Sequence, residues 1–252
     1  MNCAQLIFSP TGGTHRVAKA ITGTWEADVE AIDLTDPGLA SRKFQAEDLV
    51  LIAVPSYGGR VPPLAVQRLA KIQGNGAHCV LCCVYGNRAY EDTLVELQDL
   101  AEKQGFRIFA AVAAIAEHSI MRQYAVGRPD TQDVETLHGF SRTIWEKSQS
   151  GQGGETPAIP GNRPYKKAGG AGLVPKAGKE CIQCGVCATQ CPAQAISRED
   201  PAVTDSKKCI SCMRCVARCP HGARKVNGAM VSAAALALKK ACSGRKSNEL
   251  YI

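Results

Sequence analysis

Eight cysteines between Cys181 and Cys219 carry the most specific chemistry in this sequence. They read C-I-Q-C-G-V-C-A-T-Q-C-P, then seventeen residues between cysteines, then C-I-S-C-M-R-C-V-A-R-C-P. Each half is Cys-x2-Cys-x2-Cys-x3-Cys-Pro. Thiolates at this density ligate soft metals. A [4Fe-4S] cubane needs four of them converging from different directions. A tight triplet turn wraps one side, with backbone N–H groups facing the sulfurs, and a fourth thiolate arrives across a Pro-terminated turn. Two other readings fit less well. Zinc ribbons use Cys-x2-Cys pairs, not triplets followed by Cys-Pro. Disulfides suit short secreted chains, and here Met1-Asn2 leads straight into strand-like C-A-Q-L-I-F, with no secretion signal to expect.

The run resembles bacterial-type ferredoxins with two [4Fe-4S] clusters, for which this spacing is the established ligand pattern. The resemblance spans residues 179–223. It implies that Cys181, Cys184, Cys187 and Cys219 hold one cluster. It implies that Cys209, Cys212, Cys215 and Cys191 hold the other. A segment this short buries little core, so the clusters must do much of the folding. The remaining five cysteines, Cys3, Cys79, Cys82, Cys83 and Cys242, are scattered, four of them in apolar runs or a helical pattern. They read as buried small hydrophobes.

A second constellation lies near the N-terminus. The strand-like residues 4–8 lead into S-P-T-G-G-T-H at 9–15, then into a helix-forming run. Ser9, Thr11 and Thr14 offer hydroxyls, and Gly12 and Gly13 let backbone N–H groups approach an anion at a helix N-terminus. The loop is neither a Walker A motif nor the G-x-G-x-x-G dinucleotide fingerprint. Strand-like runs follow at 29–34, 48–54, 78–84 and 106–115, with helical patterns between them and a last helix at 131–147 capped by Asp130 or Thr131. Five strands alternating with helices predict an α/β fold with a parallel, doubly wound sheet. Ligands of such sheets bind beyond the strand C-termini.

Three loops leave those ends with unusual residues, and here the first 147 residues resemble flavodoxins, in the strand order 2-1-3-4-5. The first loop resembles their FMN-phosphate site. The second, Ser56-Tyr57-Gly58-Gly59, resembles the loop that sets an aromatic beside the isoalloxazine and a glycine near N5. The third, Tyr85-Gly86-Asn87-Arg88-Ala89-Tyr90, resembles the loop giving a second stacking aromatic, Tyr90 or Tyr85. Arg60 and Arg88 stand where many flavodoxins are acidic, so positive charge is expected to ease formation of an anionic hydroquinone. His118 reads as a satisfied loop histidine before it reads as an acid.

The chain divides into 1–148, a flavodoxin-like FMN-binding domain; 149–178, a Gly/Pro-rich connector; 179–226, a small α+β 2[4Fe-4S] ferredoxin domain; and 227–252, a helix and tail. Within the connector, G-N-R-P-Y-K at 161–166 is a candidate for docking on the first domain. Charge is divided too: residues 1–150 hold 14 basic and 17 acidic residues, a balance of −3, and residues 151–252 hold 16 and 6, a balance of +10. The basic half suits an acidic redox partner. No nucleic-acid recognition module accompanies it, and no apolar run reaches membrane-span length.

The whole arrangement resembles the flavodoxin–ferredoxin fusions of anaerobes. That implies a cytoplasmic electron carrier relaying electrons between FMN, two [4Fe-4S] clusters and a protein partner. The alternative is a flavin-dependent reductase of a quinone, nitro compound or enone, fed through the clusters. No H-x-H-x-D pattern points to a diiron module.

Overall fold

Strands whose side chains are apolar on both faces must be covered on both faces, and this requirement organises the N-terminal half. The computed structural model describes residues 1–150, 155–169 and 172–252. Connector residues 151–154 and 170–171 lie outside the described residues. The elements run β1 (Cys3–Ile7), α1 (Gly13–Thr22), β2 (Val29–Asp33), β3 (Arg42–Lys43), β4 (Leu49–Pro55), α2 (Pro63–Leu69), β5 (Ile72–Gln73), β6 (His78–Tyr85), α3 (Thr93–Lys103), β7 (Arg107–Ile115) and α4 (Thr131–Gln149). The cassette and tail add β8 (Lys176–Ala177), α5 (Val186–Thr189), α6 (Arg214–Ala217), β9 (Arg224–Lys225), α7 (Gly228–Cys242) and β10 (Glu249–Tyr251).

The main sheet has the order β10-β7-β6-β4-β1-β2. Its five parallel strands stand in the expected 2-1-3-4-5 order. The expected five-stranded sheet is corrected to six, because β10 pairs antiparallel with β7, Leu250 opposite Val112. A three-residue strand at a chain end has too little pattern to read. The structure supplies the reason for it: β7 would otherwise be a long apolar edge. One core lies on each face. Leu6, Ile52 and Leu81 meet α2 and α3 on one side, and Ile7, Leu51 and Val80 meet α1 and α4 on the other. The expected cap of α4 is Asp130, whose carboxylate accepts from Asp133 N at 3.1 Å while Asp133 returns the bond to Asp130 N.

In the cassette, β8 and β9 pair antiparallel, and Ile196 bridges Thr204. The two one-turn helices α5 and α6 each follow a left-handed residue, Gly185 at φ 78° and Met213 at φ 62°. The docking expected of 161–166 is present. Arg163 pairs with Asp99 at 2.6 Å, Tyr165 also bonds Asp99, and Asp92 accepts from Asn162 N and Lys166 N. The expected helix at 229–242 forms, but its apolar face is only partly covered. Ala235 and Cys242 are buried, whereas Met230 and Leu236 face outward.

The tail is held by Asn248. Its Oδ1 accepts from Ile115 N at 3.0 Å and its Nδ2 donates to Asp133 Oδ1 at 3.2 Å. Asn248→Ala leaves a buried N–H and a carboxylate oxygen short of a partner, and is predicted to cost about 1–3 kcal/mol. Urea unfolding of the holoprotein checks this, and an unchanged midpoint would detach β10 from the stability of the sheet.

Candidate redox sites

The cassette cysteines line two separate cavities, divided as the ferredoxin resemblance implies. Cys181, Cys184, Cys187 and Cys219 face the first, about 330 Å³ with its open side included. Cys191, Cys209, Cys212 and Cys215 face the second, about 350 Å³ on the same measure. Among the described residues, no three His, Cys, Asp or Glu side chains converge closely enough for a single metal ion. A cubane is wider, because its four thiolates bind four different irons. The turns repeat: Ala195 N donates to Cys191 Sγ and Ala223 N to Cys219 Sγ, both at 3.3 Å. Such donors favour the thiolate. In Cys219, burial is outweighed by backbone N–H groups from 224, 221 and 223, and its pKa falls. In the second cavity burial wins, pushing Cys212 up to about 11 and Cys215 up to about 12. Four cysteines facing each cavity are the donor set that an iron–sulfur cluster requires.

The second cavity abuts the α/β domain. Burial, then the charge of Cys212, raises the Tyr57 phenol well above its ordinary value. Ile210, next to Cys209, packs on the sheet's core. Arg68 of α2 is buried and donates to Pro192 O at 2.8 Å and to Asp36 O at 2.9 Å. Arg214 reaches Thr35 Oγ1 at 2.5 Å. The first cavity is on the outer side, where Cys184 and Ile182 are exposed.

The three loops predicted for a flavin leave β1, β4 and β6, which are adjacent strands of one parallel sheet. In the first, Gly12 adopts φ 93° and begins α1 with no cap from its own side chain, at a helix N-terminus of the kind that favours an anion. Ser9 Oγ accepts from His15 N at 3.0 Å, Thr11 is exposed, Thr14 is buried and Gly13 lies against Ala116. The second and third loops are joined: Ser56 Oγ bonds Thr93 Oγ1 at 2.8 Å, and Asp92 N donates to Gly59 O at 3.1 Å. Gly58 carries the turn at φ 62°. These three loops lie side by side at the strand ends, where a flavin would be held.

The remaining third-loop residues are committed elsewhere as well. Asn87 is buried and donates to Cys242 O and Gly244 O, both at 2.8 Å. Tyr90 Oη bonds Glu249 and Tyr251, each at 2.7 Å, and its ring leans on buried Tyr85 with centroids 5.3 Å apart. The bare positive charge expected of Arg60 and Arg88 is corrected. Glu96 takes Arg60 at 2.7 and 2.8 Å, and Glu91 takes Arg88 at 2.8 Å. Sequence reading missed these two carboxylates, together with Asp92, Arg68 and Arg214, because nothing in α2, α3 or the cassette helices shows which residue they face. The only signal was their type, charged residues close to motif loops.

Residues 180–224 match the 4Fe-4S dicluster domain family. A sequence comparison with curated proteins gives no match. Among solved structures the chain is similar to oxidised flavodoxin 1 from Bacillus cereus, at 16% identity and TM-score 0.43 over 58% of this chain and 98% of that one. It is similar to the flavodoxin of Streptococcus pneumoniae TIGR4, at 18% and 0.41 over 57% and 99%. It is also similar to rubredoxin oxygen:oxidoreductase from Desulfovibrio gigas, at 14% and 0.43 over 59% and 36%. These likenesses are too distant to carry function, and the fold rests on the strand order itself. Strand order and cysteine spacing together define an α/β unit of flavodoxin topology joined to an iron–sulfur domain. The chain therefore joins a doubly wound α/β unit to a 4Fe-4S dicluster domain.

His118 has a structural place. Its Nδ1 accepts from Ile120 N and Met121 N, each at 3.2 Å, and its ring packs so closely on Gly86 that a Cβ there would meet it at 2.6 Å. Burial, then Arg88, lowers its pKa below 6.5, so the folded chain holds it neutral. The unfolded chain takes up that proton first. The stability it contributes is therefore full above about pH 6.5 and is lost as pH falls towards the lower folded value. In His118→Asn, unfolding free energy is predicted to fall less steeply than in wild type below pH 6.5. Parallel curves from chemical denaturation would contradict this.

Proposed function

We propose that this protein is an electron carrier in which FMN and two [4Fe-4S] clusters form one relay. Cys181, Cys184, Cys187 and Cys219 hold the outer cluster. Cys191, Cys209, Cys212 and Cys215 hold the inner one. FMN takes the three loops, with Thr11, Thr14 and the α1 N-terminus on its phosphate and Tyr57, Tyr85 or Tyr90 beside its ring. The single observation that carries the reading is the bond from buried Arg68 of α2 to Pro192 O, which ties the turn of Cys191 to the sheet. The cavity of Cys191 is thereby held on the α/β unit, while the outer cavity opens to solvent. Clusters move single electrons and a flavin holds one or two, so the bound groups join one-electron carriers to two-electron chemistry. The chain's own residues position them. Arg68 and Ile210 fix the inner turn on the sheet, and the exposed Cys184 side is the entry or exit for a partner.

The basic C-terminal half suits an acidic redox protein as that partner, in a reducing cytoplasm. Among the described residues no helix is long and apolar enough to cross a membrane. The reductase alternative needs a proton donor at the flavin; of its candidates His118, Tyr57 and Tyr90, His118 Nδ1 accepts from Ile120 N and Met121 N, and Tyr90 Oη is bonded to Glu249 and Tyr251.

Anaerobic purification is expected to give about eight irons, eight sulfides and one FMN per chain. Stoichiometric zinc, or about four irons, would overturn the two-cluster assignment. Replacing Thr11 and Thr14 by Val removes hydrogen bonds to a charged group worth about 1.5–3 kcal/mol each. FMN binding should weaken at least tenfold while riboflavin binding changes much less. Equal losses for the two ligands would remove the phosphate from this loop.

A further inference from the structure

The two halves of the cassette repeat closely, and of the two positions buried in both halves one differs in residue type. Cys191-Pro192-Ala193-Gln194-Ala195 ends on Ile196, and Cys219-Pro220-His221-Gly222-Ala223 ends on Arg224. The turns are alike, each returning an alanine N–H to its cysteine sulfur at 3.3 Å. Ile196 is 5% exposed and Arg224 is 2% exposed. An arginine therefore sits where the other half buries an isoleucine.

Its partners are all neutral. Nη1 donates to Thr204 Oγ1 at 2.7 Å and to Pro175 O at 3.4 Å, Nη2 donates to Pro201 O, and Nε is buried without a partner. None of the ion pairs among the described residues includes it. A guanidinium keeps its charge throughout the pH range of a folded protein, and burying it among neutral groups alone is unfavourable. The compensating negative charge must come from what surrounds it. Pro201 and Arg224 itself line the cavity of Cys181, Cys184, Cys187 and Cys219. Pro175 and Thr204 line the cavity of Cys191, Cys209, Cys212 and Cys215. The guanidinium thus spans the wall between the two.

We propose that Arg224 is a fixed counter-charge shared by the two clusters, which raises the potential at which each accepts an electron. This rests on the reading of both cavities as cubane sites. In each step one electron passes from an external one-electron donor to a cluster. Arg224 gains and loses no proton, so the only change it meets is one more negative charge on either side. That charge is attracted, and the reduced cluster is favoured. The position is a positioning site for electrons rather than a ligand site.

The test is an EPR-monitored redox titration of the holoprotein, with iron and sulfide counted in every sample. At the solution potential where wild-type clusters are half reduced, Arg224→Gln and Arg224→Met are expected to show reduced-to-oxidised ratios lower by about tenfold or more in both clusters. A tenfold change corresponds to about 59 mV for one electron. Arg224→Lys should stay within about threefold of wild type. Unchanged ratios in the neutral variants would overturn the proposal, as would a fall in one cluster alone. A fall in Arg224→Lys as large as in Arg224→Gln would overturn it too, assigning the effect to hydrogen-bond geometry. Neutral variants that fail to load clusters would make Arg224 an assembly residue and also end the proposal. Wild-type protein with far fewer than eight irons would instead sink the cluster reading on which it rests, a failure the iron count separates from the others.

Discussion

The contact on which the two-part structure depends is the buried Arg68 guanidinium. It projects from α2, below the second loop of the sheet, and binds Asp36 O on one side and Pro192 O on the other. Pro192 follows Cys191, so this bond attaches a cysteine turn directly to the α/β domain. Burial depresses the Arg68 pKa, with Asp36 and Asp33 acting in the opposite sense. Holding a desolvated cation in place requires its acceptors to stay put. Ile210 and Arg214 add an apolar and a polar contact on the same face. With these in place, the turn of Cys191 is held on the α/β domain, and the cavity of Cys181 lies on the exposed side.

The chain then returns to the domain it left. Asn87, at the tip of the third loop, takes two carbonyls at the end of α7. Arg245 pairs with Asp130 at 2.6 Å, Asn248 bridges Ile115 and Asp133, and β10 completes the sheet. The connector crosses the other flank, where Arg60 lies 4.8 Å over the Tyr165 ring and donates to Lys166 O. Both chain segments that bracket the cassette are therefore fastened near the second and third loops. The iron–sulfur domain is held at both its ends as well as through Arg68.

The sequence made some of this legible for definite physical reasons. Eight cysteines at fixed spacing have few uses, and continuous apolar runs such as L-V-L-I-A-V need covering on both faces, so the cassette and the parallel sheet could be read directly. The hydroxyls of Ser9, Thr11 and Thr14 around Gly12 and Gly13, after a strand-like run, pointed to an anion loop. The pairing of Arg60 with Glu96 and of Arg88 with Glu91 was not legible, because partners across a fold leave no local periodicity. The same holds for β10, where Glu249–Tyr251 is too short to show alternation. Arg224 was visible as a charge after a Cys-Pro turn. Only its burial between the two cavities distinguishes it from the solvated basic residues around it.

The central claim is that electrons pass between clusters and flavin within one chain, and the most direct measurement is the rate of that passage. The clusters of the holoprotein would be reduced rapidly under anaerobic conditions, and flavin absorbance followed at several protein concentrations. A first-order rate that does not change with concentration is the expected result, because the inner cysteine turn is fastened to the sheet through Arg68 and the linkage sets the effective concentration. A rate rising in proportion to protein concentration would contradict it, leaving two carriers that share a chain but exchange electrons only between molecules.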